Sequence, residues 1–375
     1  MRIAVNTRLL LPQRLDGIGW FTCETLRRMV AAHPDDEFYF FFDRRPSMEF
    51  IFGRNVHPVV LCPQARHPVL WYLFFEWSVR RKLDEIHADV FLSPDGMIPL
   101  HSSVPSLAVI HDLNFEHASG NLKRSHQWYM THFFPRFAKK AARLATVSDY
   151  SRRDIADTYH IDVDKIDVVY NGSHHNYCPH SEAQNAVVRQ RFTQGCPYII
   201  FVSTILKRKN LANLLLAFDK VKEDDNSGLK LVVVGSKVWW KDELAAAYDN
   251  MHHRDDVIMM GRADSELLSL LMSAAEMLVY PSYFEGFGIP ILEAMYAEVP
   301  VIASSTTSMP EVGGDAVLYV DPYSPDDIAA KIARLRDPSL RADLVSRGRE
   351  QRKRYSWDRT AGLLWQSLMN TVEAR

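Results

Sequence analysis

The chain is 375 residues long, with 47% hydrophobic and 24% charged residues; it is too long for one ordinary domain and suits two of ~150–190 residues. Its formal net charge of −2, from 44 basic and 46 acidic residues, excludes a dedicated nucleic-acid binder, which needs a clustered excess of Lys and Arg. Four cysteines (Cys23, Cys62, Cys178, Cys196) without CxxC spacing exclude a zinc or disulfide framework and suit a reduced, cytoplasmic protein.

In chain order, Met1 to Arg8 is interrupted by Arg8 too soon for a signal sequence and reads as a first buried strand. The most apolar later run, Val69 to Phe75, is closed by Glu76, far short of the ~20 residues that span a bilayer. Strands are expected at Ile3–Asn6, Phe38–Phe42, Val56–Leu61, Val90–Leu92, Ser106–Ile110, Leu144–Val147 and Asp167–Val169. Helices are expected near Trp20–Ala32, Val69–His87, Ser125–Ala142 and Tyr150–Tyr159. Such alternation implies parallel strands with helices on both faces. Asn171-Gly172 ends the series, and the polar stretch 173–196 reads as a linker.

After Pro197 the alternation restarts. Strands are expected at Tyr198–Ser203, Leu229–Val234, Val257–Met259, Met277–Tyr280, Val299–Ala303 and Ala316–Val320, with helices near Leu211–Val221, Trp240–Tyr248, Ser265–Ser273 and Ile289–Ala297. Three further helices close the chain: Pro325 to Arg336, Leu340 to Arg354 and Asp358 to Thr371. The expected class is α/β, with two Rossmann-like doubly wound parallel-sheet domains, 1–172 and 197–357, facing across a cleft.

Chemistry is expected where strands end. The loop Glu285-Gly286-Phe287-Gly288 joins an apolar strand to a helix with Pro290 in its first turn, and helix N-termini are ready anion sites. Glu285 and Glu293 flank it, which suits a ligand carrying both phosphate and hydroxyl groups. The bland alternative is an ordinary strand–Gly–helix junction with a dipole-favoured Glu. At the end of the second half's first strand, Lys207-Arg208-Lys209 would neutralise a diphosphate, against the usual solvated fate of charge runs.

In the first half, Asp16-Gly17-Ile18-Gly19 opens a helix but is only GxG, since Thr22 occupies the third glycine's place, so a nicotinamide enzyme is disfavoured. His111, at a strand end, could bind a sugar hydroxyl or act as acid or base, whereas Asp112 beside it points elsewhere on an extended segment. Asp162-Val163-Asp164 has metal-binding DxD spacing but sits where a turn needs capping. The other fourteen histidines show no metal-ligand spacing. Trp71 to Trp77, followed by Arg80-Arg81-Lys82, reads as a helix with aromatics in the core; the competing reading is a membrane-contacting amphipathic face. With 21 basic and 20 acidic residues in 1–170, a difference of +1, no strongly basic half favours docking.

Together these motifs resemble the retaining GT-B glycosyltransferases of glycosyltransferase family 4 over nearly the whole chain. Glu285-Gly286-Phe287-Gly288-Ile289-Pro290 with Glu293 matches its EX7E element. Gly17-Ile18-Gly19, His111-Asp112-Leu113, Val147-Ser148-Asp149-Tyr150-Ser151, Tyr170-Asn171-Gly172, Arg208-Lys209-Asn210, Ser308-Met309-Pro310-Glu311-Val312 and Ser356-Trp357 match in order. The chain departs from many relatives at Ser203-Thr204, where they carry Gly-Arg; Arg208 then supplies the second cation, as in the branch whose loop reads PRKN, although Lys207 replaces its proline.

The resemblance implies a nucleoside diphosphate sugar as donor, held by the C-terminal domain. Glu293 would bind the ribose diol and Glu285 the donor sugar hydroxyls. Backbone N–H groups at Phe287, Gly288 and Ile289 would meet the diphosphate or sugar, and Thr204 would line the same site. Arg208 and Lys209 would stabilise the leaving group without any metal or other cofactor. Gly17 and Gly19 would let their loop approach phosphate and acceptor, His111 would lie near the donor sugar, and a closing helix, about 358–375, would return to the N-terminal, acceptor-side domain. Transfer would retain the anomeric configuration by front-face substitution. GDP-mannose is the favoured donor, ahead of UDP-hexoses, GDP-fucose and dTDP-rhamnose. A glycan or lipid-linked oligosaccharide is the expected acceptor, in bacterial surface polysaccharide (lipopolysaccharide) synthesis at the cytoplasmic membrane face. A GT-B-fold epimerase and a non-catalytic nucleotide-sugar-binding protein are the alternatives.

Overall fold

The computed structural model describes residues 1–12, 15–117, 123–173, 177–223 and 227–373. Seven strands, β1 (Arg2–Asn6), β2 (Glu37–Phe42), β3 (Val56–Val60), β4 (Val90–Ser93), β5 (Ser106–Val109), β6 (Arg143–Thr146) and β7 (Ile166–Val168), form one sheet. Six more, β8 (Tyr198–Val202), β9 (Lys230–Val234), β10 (Val257–Gly261), β11 (Met277–Tyr280), β12 (Val301–Ser304) and β13 (Val317–Val320), form a second. Their orders are β3-β2-β1-β4-β5-β6-β7 and β10-β9-β8-β11-β12-β13, and the pairings between neighbouring strands are parallel.

Apolar residues on successive positions explain this. β4, β5, β8, β11 and β12 are buried along their whole length, as strands covered by helices on both faces must be. In each sheet the strand order reverses beside the first strand: β1 lies between β2 and β4, and β8 between β9 and β11. Carboxyl ends of strands at such a switch point are where open α/β sheets bind ligands.

The chain divides into two compact units, Met1–Gly172 with Tyr355–Arg375, and Ser173–Arg354. Helix Trp357–Glu373 docks on the first unit: Asp358 pairs with Arg28 at 2.5 Å and Ser367 donates to Asp167 at 2.6 Å. Gly172 makes room for its start, since a Cβ there would sit 2.4 Å from the Trp357 nitrogen. Residues 374–375 of the expected closing helix lie outside the described residues.

Several expectations need correction. The stretch 173–196, read as a linker, falls within the second unit, and its described part contains helix Glu182–Thr193, entered through a capping box between Ser181 and Gln184. Positions 174–176 of that stretch lie outside the described residues. The strand expected from Val299 begins at Val301, because Pro300 has no N–H for the ladder and contributes only its carbonyl, to the Leu278 N–H at 3.0 Å. The helix expected over Val69–His87 runs Pro68 to Glu85 and winds more widely from Phe74 to Val79.

Candidate active site

In the second unit the carboxyl ends of β8 and β11 are adjacent, and each feeds a loop carrying charge. After β8 the chain makes a single tight turn over Lys207–Lys209 and reverses at Asn210, in a left-handed conformation (φ 59°) that asparagine tolerates. The Asn210 amide donates to the carbonyls of Pro281 (2.9 Å) and Pro322 (2.6 Å). The loop after β11 is held further by the Tyr283 N–H on the Arg208 carbonyl (2.8 Å), the Glu285 N–H on Thr307 Oγ1 (3.2 Å) and Ser308 Oγ on the Glu285 carbonyl (2.9 Å). Gly288 takes φ 96°, which admits glycine, and caps helix Ile289–Tyr296 with Pro290 in its first turn.

These loops bring Glu285 onto two cations. Lys209 Nζ lies 2.5 Å from Glu285 Oε1 and Arg208 Nη1 lies 3.0 Å from Oε2, while Arg208 also donates to the Phe284 carbonyl at 2.9 Å. Tyr280, the last residue of β11, donates to Glu285 Oε1 at 2.8 Å and accepts from Lys209 Nζ at 2.8 Å. Lys209, Tyr280 and Glu285 are all buried. Burial by itself would raise the Glu285 carboxyl; the Lys209 ammonium and Arg208 guanidinium outweigh it and hold the group at about 2. Burial likewise pushes the Tyr280 phenol far up, so it stays protonated.

Glu293, on the first helical turns beyond the loop, is buried, with no cation paired to it among the described residues. Burial raises its carboxyl to about 7, against a hydrogen bond with Tyr177 that favours the charged form. Two carboxylates of one element thus have opposite electrostatics: Glu285 is permanently charged and Glu293 titrates near neutrality.

Among the other expected donor-site residues, Phe287 is buried, and Gly288 and Ile289 form the loop–helix boundary. Thr204 is exposed just after β8, and the Ser203 hydroxyl donates to its carbonyl at 3.1 Å. Of the three cations expected in one anion site, Lys207 is turned outward onto Glu243 at 3.0 Å; only Arg208 and Lys209 converge. Sequence reasoning missed Tyr280, Tyr177 and the bracing task of Asn210. A tyrosine ending a strand that feeds an acidic loop was the readable signal for Tyr280; nothing local marks Tyr177.

In the first unit, Gly17, Gly19 and His111 gather near the carboxyl ends of β1 and β5. Asp16 caps helix Gly17–Ala32 by accepting from the Gly19 N–H at 3.0 Å. A Cβ on Gly19 would meet Leu15 Cδ2 at 3.0 Å and the Leu9 carbonyl at 3.2 Å, whereas one on Gly17 would meet nothing within 4 Å among the described residues. His111 Nε2 donates to the Pro94 carbonyl at 2.9 Å and its ring stands edge-on to Phe21 at 4.9 Å. Burial lowers its pKa, favouring the neutral ring with Nδ1 as acceptor. Ser151 Oγ donates to the His111 carbonyl at 3.2 Å, and Ser148 caps helix Asp149–Tyr159, which carries Ser151. Asp112 serves the next turn, accepting from the Asn114 N–H at 3.0 Å. Beside them, Arg8 and Asp95 form a buried pair at 2.7 Å, joined by Asn6. Asp162 accepts from the Asp164 N–H at 3.0 Å and so caps a turn.

The aromatic segment divides. Phe74, Phe75 and Val79 enter the core; Val69, Tyr72, Leu73 and Trp77 are exposed. Among the described residues no helix is long and apolar enough to cross a membrane.

Comparison with known proteins matches this layout. The family described as "Glycosyl transferases group 1" covers residues 184–351, and that described as "Glycosyltransferase Family 4" covers 15–177. An O-antigen chain mannosyltransferase B of Escherichia coli is 30% identical, over 92% of this chain and 93% of its own length. The O-antigen chain mannosyltransferase RfbU of Salmonella typhimurium is 26% identical over 78% of this chain and 76% of its own. HepE of Anabaena, solved with UDP and glucose, superposes with a TM-score of 0.75 at 16% identity, over 99% of this chain and all of that one (100%); at that identity the likeness speaks to the fold. With motifs, sheet topology and relatives in agreement, the chain belongs to glycosyltransferase family 4 and is a glycosyltransferase of the GT-B fold.

Proposed function

We propose that the chain transfers mannose from GDP-mannose, with retention of configuration, to a glycan or lipid-linked oligosaccharide during synthesis of a bacterial surface polysaccharide. The observation that carries the donor half is the cluster of buried Lys209 and Glu285 with half-buried Arg208 at the switch point of the second sheet. Two cations and a charged carboxylate at that place suit a ligand with a diphosphate and sugar hydroxyls. Mannose and surface polysaccharide are favoured by the relatives, which are named as O-antigen mannosyltransferases.

In this reading Glu285 accepts from donor sugar hydroxyls and Glu293 from the ribose diol. The turn Phe287–Ile289 offers backbone N–H groups to the phosphates, and Thr204 lines the same site. Arg208 and Lys209 take up charge as the diphosphate leaves, so metal is not required for leaving-group stabilisation. The departing phosphate oxygen accepts the acceptor's proton on the face where the new bond forms, which retains configuration. Protein groups act by positioning and electrostatics. Gly17 and Gly19 serve the phosphate and acceptor, and the neutral His111 serves the donor sugar. A thermal-shift panel of GDP, UDP, ADP and dTDP with their sugars tests the donor. Stabilisation by GDP and GDP-mannose above the rest is expected; preference for another base overturns the GDP assignment, and no response to any of them overturns the donor site.

Peripheral contact with the inner face of the cytoplasmic membrane belongs to the same reading. Val69, Tyr72, Leu73 and Trp77 are exposed, as is Trp128 on helix Arg124–Lys140, and Tyr72 and Trp128 both contact Phe133. That helix carries Arg124, Arg136, Lys139 and Lys140 and no carboxylate, the pattern of an interfacial surface. Flotation with phosphatidylglycerol vesicles at low salt is expected; no recovery with them contradicts the contact.

A further inference from the structure

We propose that Tyr280 is a positioning residue that lets Lys209 serve the diphosphate without leaving Oε1 of Glu285 unpartnered. The proposal rests on the donor-site reading above and adds a residue to it. Tyr280 ends β11 and is 1% exposed. Its hydroxyl has one proton, and the distances fix where that proton goes. Lys209, which can only donate, lies 2.8 Å from the phenol oxygen, and the charged Glu285 Oε1, which can only accept, also lies 2.8 Å away. The phenol therefore accepts from the ammonium and donates to the carboxylate, closing a three-membered ring with the direct Lys209–Glu285 contact at 2.5 Å.

That ring matters when a diphosphate arrives. As long as Lys209 is committed to Glu285, the pair is neutral and buried. A diphosphate that draws the ammonium toward itself strips the carboxylate of its nearest cation, and a buried carboxylate that loses such a partner is costly. Arg208, on the other oxygen at 3.0 Å, and the phenol, on Oε1, remain. The phenol stays protonated because burial and the Glu285 charge both push its pKa up, so it is a permanent donor. Tyr280 thus holds Oε1 in place for the sugar and keeps Glu285 charged while Lys209 turns to the leaving group.

Tyr280→Phe removes the hydroxyl and keeps the ring. In the transfer reaction, kcat is expected to fall about 10- to 100-fold, the worth of a hydrogen bond to a charged group, with donor KM within about twofold. A second readout needs no turnover. Inorganic pyrophosphate is titrated calorimetrically at pH 6 in two buffers of different ionisation enthalpy. Tyr280→Phe is expected to take up roughly half a proton more per pyrophosphate than the parent chain, as Glu285 protonates when Lys209 is drawn away. Equal proton uptake in the two proteins overturns the proposal, as does a loss confined to KM and melting temperature with kcat unchanged, which is what a packing role gives. Pyrophosphate failing to bind the parent chain overturns it too, by removing the anion site. If the parent chain binds pyrophosphate with the expected difference but transfers no sugar, the donor-sugar reading fails and the role of Tyr280 stands. Should Tyr280→Phe not fold, 3-fluorotyrosine at 280, whose more acidic hydroxyl is the stronger donor to Glu285, replaces it in the same titration, with proton uptake no greater than the parent's expected; uptake above the parent's overturns the proposal.

Discussion

Replacing Glu293 with Gln isolates the cost of burying a carboxyl group without a cation. Burial holds this group at about 7 in the folded chain, against an ordinary value of 4.5. Between those two pH values the folded chain keeps a proton that the unfolded chain has lost. Its stabilising contribution is therefore complete below pH 4.5 and is lost as pH rises through 7. The rise is about 2.5 pH units, which at about 1.4 kcal/mol each amounts to roughly 3–4 kcal/mol. Glutamine carries no such linkage and can still bond Tyr177. At pH 8 the second unit of Glu293→Gln should be more stable than the parent by up to roughly 3–4 kcal/mol, and the gap should close toward pH 4.5. A chain of two units need not unfold in one step, so the assay is hydrogen exchange of peptides covering 277–296 across a urea series at both pH values. Destabilisation of the variant at pH 8, or a gap independent of pH, would refute the reasoning. The same variant should bind nucleoside diphosphate weakly at every pH if the ribose diol needs the carboxylate, while the parent's affinity should fall below pH 7.

Glu285 has the opposite sign. Held at about 2 against an ordinary 4.5, it contributes roughly 3–4 kcal/mol that is present above pH 4.5 and lost as pH falls toward 2; acid unfolding of Glu285→Gln should be correspondingly flatter over that window. Lys209→Ala should lower kcat by about 30- to 1000-fold, the worth of ~2–4 kcal/mol in the transition state; steady-state kinetics retaining most of kcat contradicts the leaving-group role. Gly235 has φ 148°, and a Cβ there would lie 1.7 Å from the Ser203 carbonyl oxygen; Gly235→Ala should destabilise the second unit by several kcal/mol, seen as a lower urea midpoint.

Most of the fold is legible because parallel strands buried on both faces read as short apolar runs. β11 and helix Ser265–Ser273 fall where periodicity puts them. Helix Glu182–Thr193 was hidden because only Val188 and Thr193 are buried while Val187 is exposed, which leaves no apolar stripe; its capping box at Ser181 and Gln184 was the better signal. In the site, Glu285 and Glu293 are recognisable as a motif, and Arg208 and Lys209 as a charge run. What separates Lys207 from its two neighbours is the reversal at Asn210 and a carboxylate, Glu243, 36 residues away. Long-range partners of that kind, like Tyr177 for Glu293, leave no mark at the residue itself. Opposite pKa shifts for the two glutamates follow from burial with and without cations, which no spacing encodes.

The central claim is transfer from a nucleoside diphosphate sugar at the Glu285–Lys209–Arg208 site. Its most direct test is incubation of the chain with GDP-mannose and a lipid-linked oligosaccharide acceptor, reading released GDP, glycosylated product and the anomeric proton of the new linkage by NMR. Equal amounts of GDP and an α-mannosylated product, both abolished in Glu285→Ala, are predicted. A β linkage would contradict retention, and product formation undiminished in Glu285→Ala would contradict the site.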